Sequence, residues 1–110
     1  MMEAVRMAEF LEALVTLLPV DAGGRTSAIR PRDGSYRPFA ISHDGSRMRI
    51  RIIEGPPAIA PGQDGRVVAE IESTAATIAA GAELTLVEHE DRCVGILTVT
   101  RRFISFAAST

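Results

Sequence analysis

There is no lysine and no tryptophan in this chain, and it has a single cysteine and a single tyrosine. Without lysine, a Gly-x-x-x-x-Gly-Lys-Ser/Thr phosphate loop cannot exist. No dinucleotide fingerprint is present either, so a self-contained P-loop nucleotide hydrolase is excluded and no cofactor is expected. Cys93 alone cannot form an intramolecular disulfide and is too few for a cysteine-based zinc site. A reducing, cytoplasmic setting is the default expectation. No apolar run approaches the ~20 residues of a membrane span. The apolar stretch Ala13 to Val20 is preceded by Glu3, Glu9 and Glu12, where a secretory signal would carry positive charge. A soluble intracellular protein with no membrane contact is expected.

The 110 residues suit one domain. Folding at this size buries roughly two-thirds of the chain's surface, enough for a core without staples. Apolar residues make up 46% of the chain and no low-complexity tract interrupts them, which argues against disorder. The net charge of −2 is unevenly spread. Seven arginines lie between Arg25 and Arg51, against Asp33 and Asp44; eight acids lie between Glu54 and Asp91, against Arg66. Such asymmetry marks either a polyanion-binding face or two faces that meet opposite partners. That every basic residue is arginine also suggests a compositional bias, with arginine standing in for surface lysine, although arginine is the better phosphate fork.

The clearest strand is Ser46 to Glu54, where Met48, Ile50 and Ile52 alternate with Arg47, Arg49 and Arg51. Asp44-Gly45 and Gly55-Pro56-Pro57 punctuate it as turns. Arg66 to Glu72 reads as a second strand with Val67, Ala69 and Ile71 on one face. Glu83 to Glu88 pairs naturally with Cys93 to Arg101 across a hairpin loop at 89–92, and Tyr36 to Ser42 is a shorter candidate. Short strands at this spacing read as a closed barrel or sandwich. At the N-terminus, Val5, Ala8, Leu11, Val15 and Leu18 recur at helix-like intervals, so pattern alone predicts a helix from about Glu3 to Leu18.

Three stretches are similar to the C-terminal barrel of elongation factor Tu. Glu12 to Leu18 followed by Asp21-Ala22-Gly23-Gly24-Arg25 resembles that domain's opening strand and its Gly-Gly-Arg turn. Tyr36-Arg37-Pro38-Phe39 resembles the family's Tyr-Arg-Pro-Gln-Phe without the Gln. Glu54-Gly55, Pro61-Gly62, then Glu88, Arg92, Val94 and Gly95 follow in the family's order. Together they cover about Glu12 to Arg102. The resemblance implies an all-β, six-stranded antiparallel closed barrel as a single domain over 1–110, its core about 12–102, with 1–11 and 103–110 as extensions. It makes the second half of the helix-like stretch a strand and leaves residues 1–10 as a helical turn or frayed. It also implies contacts that this domain makes in the full factor: the GTPase domain, the T stem of aminoacyl-tRNA and the exchange factor. The sequence departs at Ser42-His43-Asp44-Gly45, where the family carries Arg-Thr-Thr-Asp. It departs again at Val87, where the family has arginine, and at Leu97, where it has a second glycine.

Gly23 and Gly24 permit a tight turn, and Pro38 fixes backbone at a strand edge. Gly23, Gly24, Tyr36, Pro38, Pro61, Gly62 and Gly95 are thus expected as structural motif residues. Arg25 and Arg37 can fork onto a carboxylate or phosphate, or form ion pairs across the barrel wall. Arg47, Arg49 and Arg51 span about 13 Å at ~3.3 Å per residue, comparable to two phosphate steps. The plainer reading of that stripe is a solvated face paired with Glu70 and Glu72. With Arg92, these arginines are the candidate RNA- or partner-binding residues. Only Tyr36 and Phe39 lie near the stripe in sequence, too few for a single-strand stacking platform, so backbone contact with a folded RNA is the better-supported mode. His43-Asp44 and His89-Glu90-Asp91 sit in predicted turns, and no metal site is expected of them. Ser42, Ser46 and Cys93 lack a base and orienting acid, Cys93 being expected to pack as a small hydrophobe, and no catalytic residue is expected. The sequence therefore predicts a non-catalytic module contacting RNA or the translation machinery. A protein-interaction module, including a homodimer, is the alternative.

Overall fold

The computed structural model describes residues 5–73 and 78–108. Six strands form: β1 (Val5–Leu17), β2 (Phe39–Ile41), β3 (Arg47–Glu54), β4 (Asp64–Ser73), β5 (Glu83–Glu88) and β6 (Arg92–Ala108). Every pairing is antiparallel, and the order β1-β4-β3-β2-β5-β6 closes on itself. The chain is therefore the closed six-stranded antiparallel barrel that the sequence predicts. Among the described residues no helix is long and apolar enough to cross a membrane.

Period-two alternation builds the wall. In β3, Met48, Ile50 and Ile52 are buried while Arg47 and Arg49 are exposed. The interior is filled by Leu11, Val15 and Leu17 of β1, Leu84 and Leu86 of β5, and Val94, Leu97 and Val99 of β6. Ile29 and Ile59 lie outside the strands and exchange two backbone hydrogen bonds of 3.0 Å, which fastens the two long connections over the core. Each such aliphatic side chain contributes about 1.5–3 kcal/mol when withdrawn from water.

One expectation is corrected at the chain ends. Residues 5–10, expected as a helical turn or frayed, continue β1 as regular strand, while residues 1–4 lie outside the described residues. The segment from Phe103, expected as an extension of the core, continues β6 to Ala108, past the last β5 pairing at Thr98. Each end supplies the other's hydrogen bonds: Val5 pairs with Ala108 and Phe10 with Phe103. A backbone that would be left unpaired alone is satisfied as a two-stranded ribbon.

A bulge sets which side chains face inward. Glu12 pairs with Arg101 and Ala13 with Val99, so Thr100 is an extra residue in β6. Its hydroxyl donates to the Glu12 carbonyl at 2.9 Å, holding the irregular backbone. Before the bulge Leu97 and Val99 point inward; after it the same face is taken by Arg102, Ile104 and Phe106.

The turn after β1 depends on glycine. Gly23 has φ 88°, in the left-handed region. Gly24 packs so closely that a Cβ would stand 2.2 Å from the Leu18 carbonyl oxygen. Its N–H donates to the Pro19 carbonyl at 3.0 Å. Gly24→Ala should therefore force backbone displacement and lower stability by about 2 kcal/mol or more, read as a shift in the urea midpoint. A midpoint within error of wild type would show that the turn is not fixed by this contact.

Candidate functional site

The β2–β3 register creates the most distinctive surface. Phe39 lies directly opposite Arg49 and diagonally from Arg47, and side chains so placed meet on one sheet face. Both guanidinium groups sit over the Phe39 ring, Arg49 at 4.5 Å and Arg47 at 5.4 Å from its centroid. With Arg25, Tyr36, Arg37 and the hairpin residues Glu88 to Asp91, they line an open groove of about 480 Å³.

One wall of this groove is a locked cluster. Glu88 Oε2 accepts a hydrogen bond from the Tyr36 hydroxyl at 2.6 Å and another from the Arg25 guanidinium. Arg25 also donates to the Ser27 carbonyl at 3.1 Å and to the Ser27 hydroxyl at 3.2 Å, and it lies 5.1 Å over the Tyr36 ring. Its donors are thus largely spent inside the protein. Burial pushes the Tyr36 phenol well above its ordinary value of 10.0, and the Glu88 carboxylate pushes it the same way. Because the folded-state value is raised, the contribution of the neutral phenol is complete below pH 10.0 and is lost as pH rises beyond it. Tyr36 is the only tyrosine, so its phenolate absorbance reports this group alone. In alkaline titration that signal should appear only together with unfolding; ionisation near pH 10.0 in a folded protein would contradict the buried hydrogen bond.

The turn of the β5–β6 hairpin, which follows Glu88 directly, also lines the groove. Glu90 and Asp91 both have positive φ, 61° and 58°, which non-glycine residues seldom adopt. Asp91 forms an ion pair with Arg47 from this turn. Glu90→Gly should relieve strain and raise stability by about 1 kcal/mol, seen in thermal or urea unfolding. A lower midpoint would mean that contacts of the Glu90 side chain outweigh the strain.

The structure separates the arginines singled out by sequence. Arg25, Arg37, Arg47 and Arg49 line the groove. Arg51 does not; it faces Glu70 across β3–β4 and donates to it at 3.0 Å. Glu70 is 3% exposed, so this pair neutralises a buried carboxylate. Arg92 donates to the Gly24 carbonyl at 2.6 Å and so holds the glycine turn. Arg37 lies 3.7 Å from Glu72 and is largely exposed. Arg49 makes no ion pair among the described residues, and its β4 neighbour in the register is Ser73. Among the motif residues, Pro38 is buried and its carbonyl accepts from Ile50, while Gly62 donates to Leu17 and Leu18 beside Pro61. A Cβ on Gly95 would stand 2.5 Å from the Thr16 carbonyl.

His89 lines the groove, whereas His43 borders a separate hollow of about 100 Å³ with Glu83. Asp44 accepts from the Ser42 hydroxyl and from the Ser46 N–H, and these bonds pull its carboxyl down to about 2. Ser42 and Asp44 thus form a turn. Cys93, expected to pack as a small hydrophobe, is exposed at the start of β6. Among the described residues no group of three or more His, Cys, Asp and Glu is placed to hold a metal ion. Sequence pairing rules missed the Phe39 contacts, which follow only from the β2–β3 register. The fold and site thus define a closed six-stranded barrel with an arginine-lined groove. Compared with known family models and with curated proteins, the chain matches none.

Proposed function

We propose that this barrel is a non-catalytic module that binds the sugar-phosphate backbone of a folded RNA at the Arg37–Arg47–Arg49 groove. The observation that carries this reading is Arg49: exposed, held over the Phe39 ring, and free of any carboxylate partner among the described residues. A guanidinium stacked on an aromatic ring is pre-oriented and keeps its outward N–H donors for a ligand. Arg37 and Arg47 flank it with partners that are exposed or distant, and such pairs are weak enough to exchange for phosphate. The resemblance to the C-terminal barrel of elongation factor Tu supports a partner in translation.

Purified protein titrated with total RNA should bind at low salt, with log K against log salt falling at a slope of about −2 to −3 for three phosphate contacts. Arg49→Ala should weaken binding roughly tenfold across sequences and flatten the slope by about one. Arg101→Ala, outside the groove, serves as the control. Absence of RNA binding at low salt, or equal loss in both variants, overturns the assignment.

A further inference from the structure

The ribbon formed by the ends of β1 and β6 carries the most exposed large apolar side chains among the described residues. Phe106 is 72% exposed, and Met7 and Ile104 are 60% exposed. Met7 pairs directly with Phe106, and Ile104 lies one step along, opposite Glu9. Strand alternation from the Thr100 bulge places all three on one face. Glu9 and Arg102 share that face and neutralise each other, with Arg102 Nε donating at 2.8 Å. The opposite face is closed by its own side chains: Phe10 and Phe103 stack with centroids 5.3 Å apart, and Ala8 is buried.

Both ribbon edges lack a further strand among the described residues. The β1–β4 pairing begins at Phe10, and the β5–β6 pairing ends at Thr98. Charge distinguishes the two edges. The β1 edge includes Glu9; the unpaired β6 edge carries Arg101 and Arg102, both bonded to acids of β1, and then reads Phe-Ile-Ser-Phe-Ala-Ala from Phe103 to Ala108, without charge, proline or glycine. Strand edges are ordinarily blunted by charge or proline, and this terminal stretch of β6 is not. An uncharged edge with apolar residues on both sides of Ser105 can pair antiparallel with its own copy and bring no like charges together.

We propose that this edge is the interface for a second copy of the chain. The two β6 strands pair across a two-fold axis at Ser105, with Ile104 of each copy opposite Phe106 of the other. The two ribbons then make one four-stranded sheet, with Met7, Ile104 and Phe106 of both copies on a shared face. The arrangement is isologous and closes at two copies, leaving the arginine groove outside the interface.

Sedimentation equilibrium of the full chain at micromolar concentration should give twice the chain mass. Phe106→Asp and Ile104→Lys alter exposed positions; each should weaken self-association at least about tenfold while the circular dichroism of the barrel is kept. Independently, Ser105→Cys combined with Cys93→Ser should oxidise to a covalent dimer, since directly opposed strand residues stand within disulfide reach. A wild-type monomer at all concentrations overturns the proposal. So does a dimer that keeps its affinity in the two charge variants, an open series of larger assemblies, or failure of the cysteine variant to cross-link.

Discussion

Closure between β1 and β6 is the constraint on which the remaining structure depends. All thirteen residues of β1 pair with the last strand, and Phe10 to Thr16 also pair with β4. This contact joins the two ends of the sequence, so it forms only by paying the entropy of closing a long loop. The buried aliphatic interior supplies the compensation. Once closed, the pairing fixes much else. Leu18 donates to the Val94 carbonyl at 2.9 Å, which delivers the chain into the Gly23-Gly24 turn, and Arg92 at the start of β6 clamps that turn from the other side. Arg25 leaves the turn directly toward Glu88, the final residue of β5, and the groove's rigid wall follows.

The barrel was legible in the sequence where a strand buries only one face. In β3 and β5 the interior positions are apolar, several wall positions are polar or charged, and the predicted boundaries lie within a residue of those observed. β1 was misleading for a physical reason. Ala8 and Phe10 are buried on the outer face, while Leu11, Ala13, Val15 and Leu17 are buried inside. A strand that buries one face near its start and the other further along spaces its apolar residues as a helix does. The continuation of β6 was hidden because its partner is the misread half of β1. In the groove, the arginines were legible as candidates, but their separation was not. Arg47, Arg49 and Arg51 share one face of one strand, and what distinguishes them is the partner each side chain meets: Asp91 of the hairpin, Phe39 of β2, Glu70 of β4.

That separation also resolves the charge asymmetry of the sequence. Arginines of the first half meet acids of the second: Arg25 with Glu88, Arg37 with Glu72, Arg47 with Asp91, and Arg51 with Glu70. The segregation along the chain is therefore largely interleaved around the wall, because the closed order places β3 beside β4 and β2 beside β5. Most of these pairs are partly exposed and add little stability individually. Glu70 is different, since a carboxylate at 3% exposure needs a cation wherever the fold leaves it. Arg51 is thus committed to the wall, and Arg25 is committed by the hydrogen bonds around Glu88 and Ser27. Phe39, in turn, orients Arg49 without neutralising it, since an aromatic face attracts a guanidinium and leaves its charge intact. The wall pairs each of the other three groove arginines with a carboxylate while holding Arg49 over a ring, and the proposed anion contact rests on that contrast.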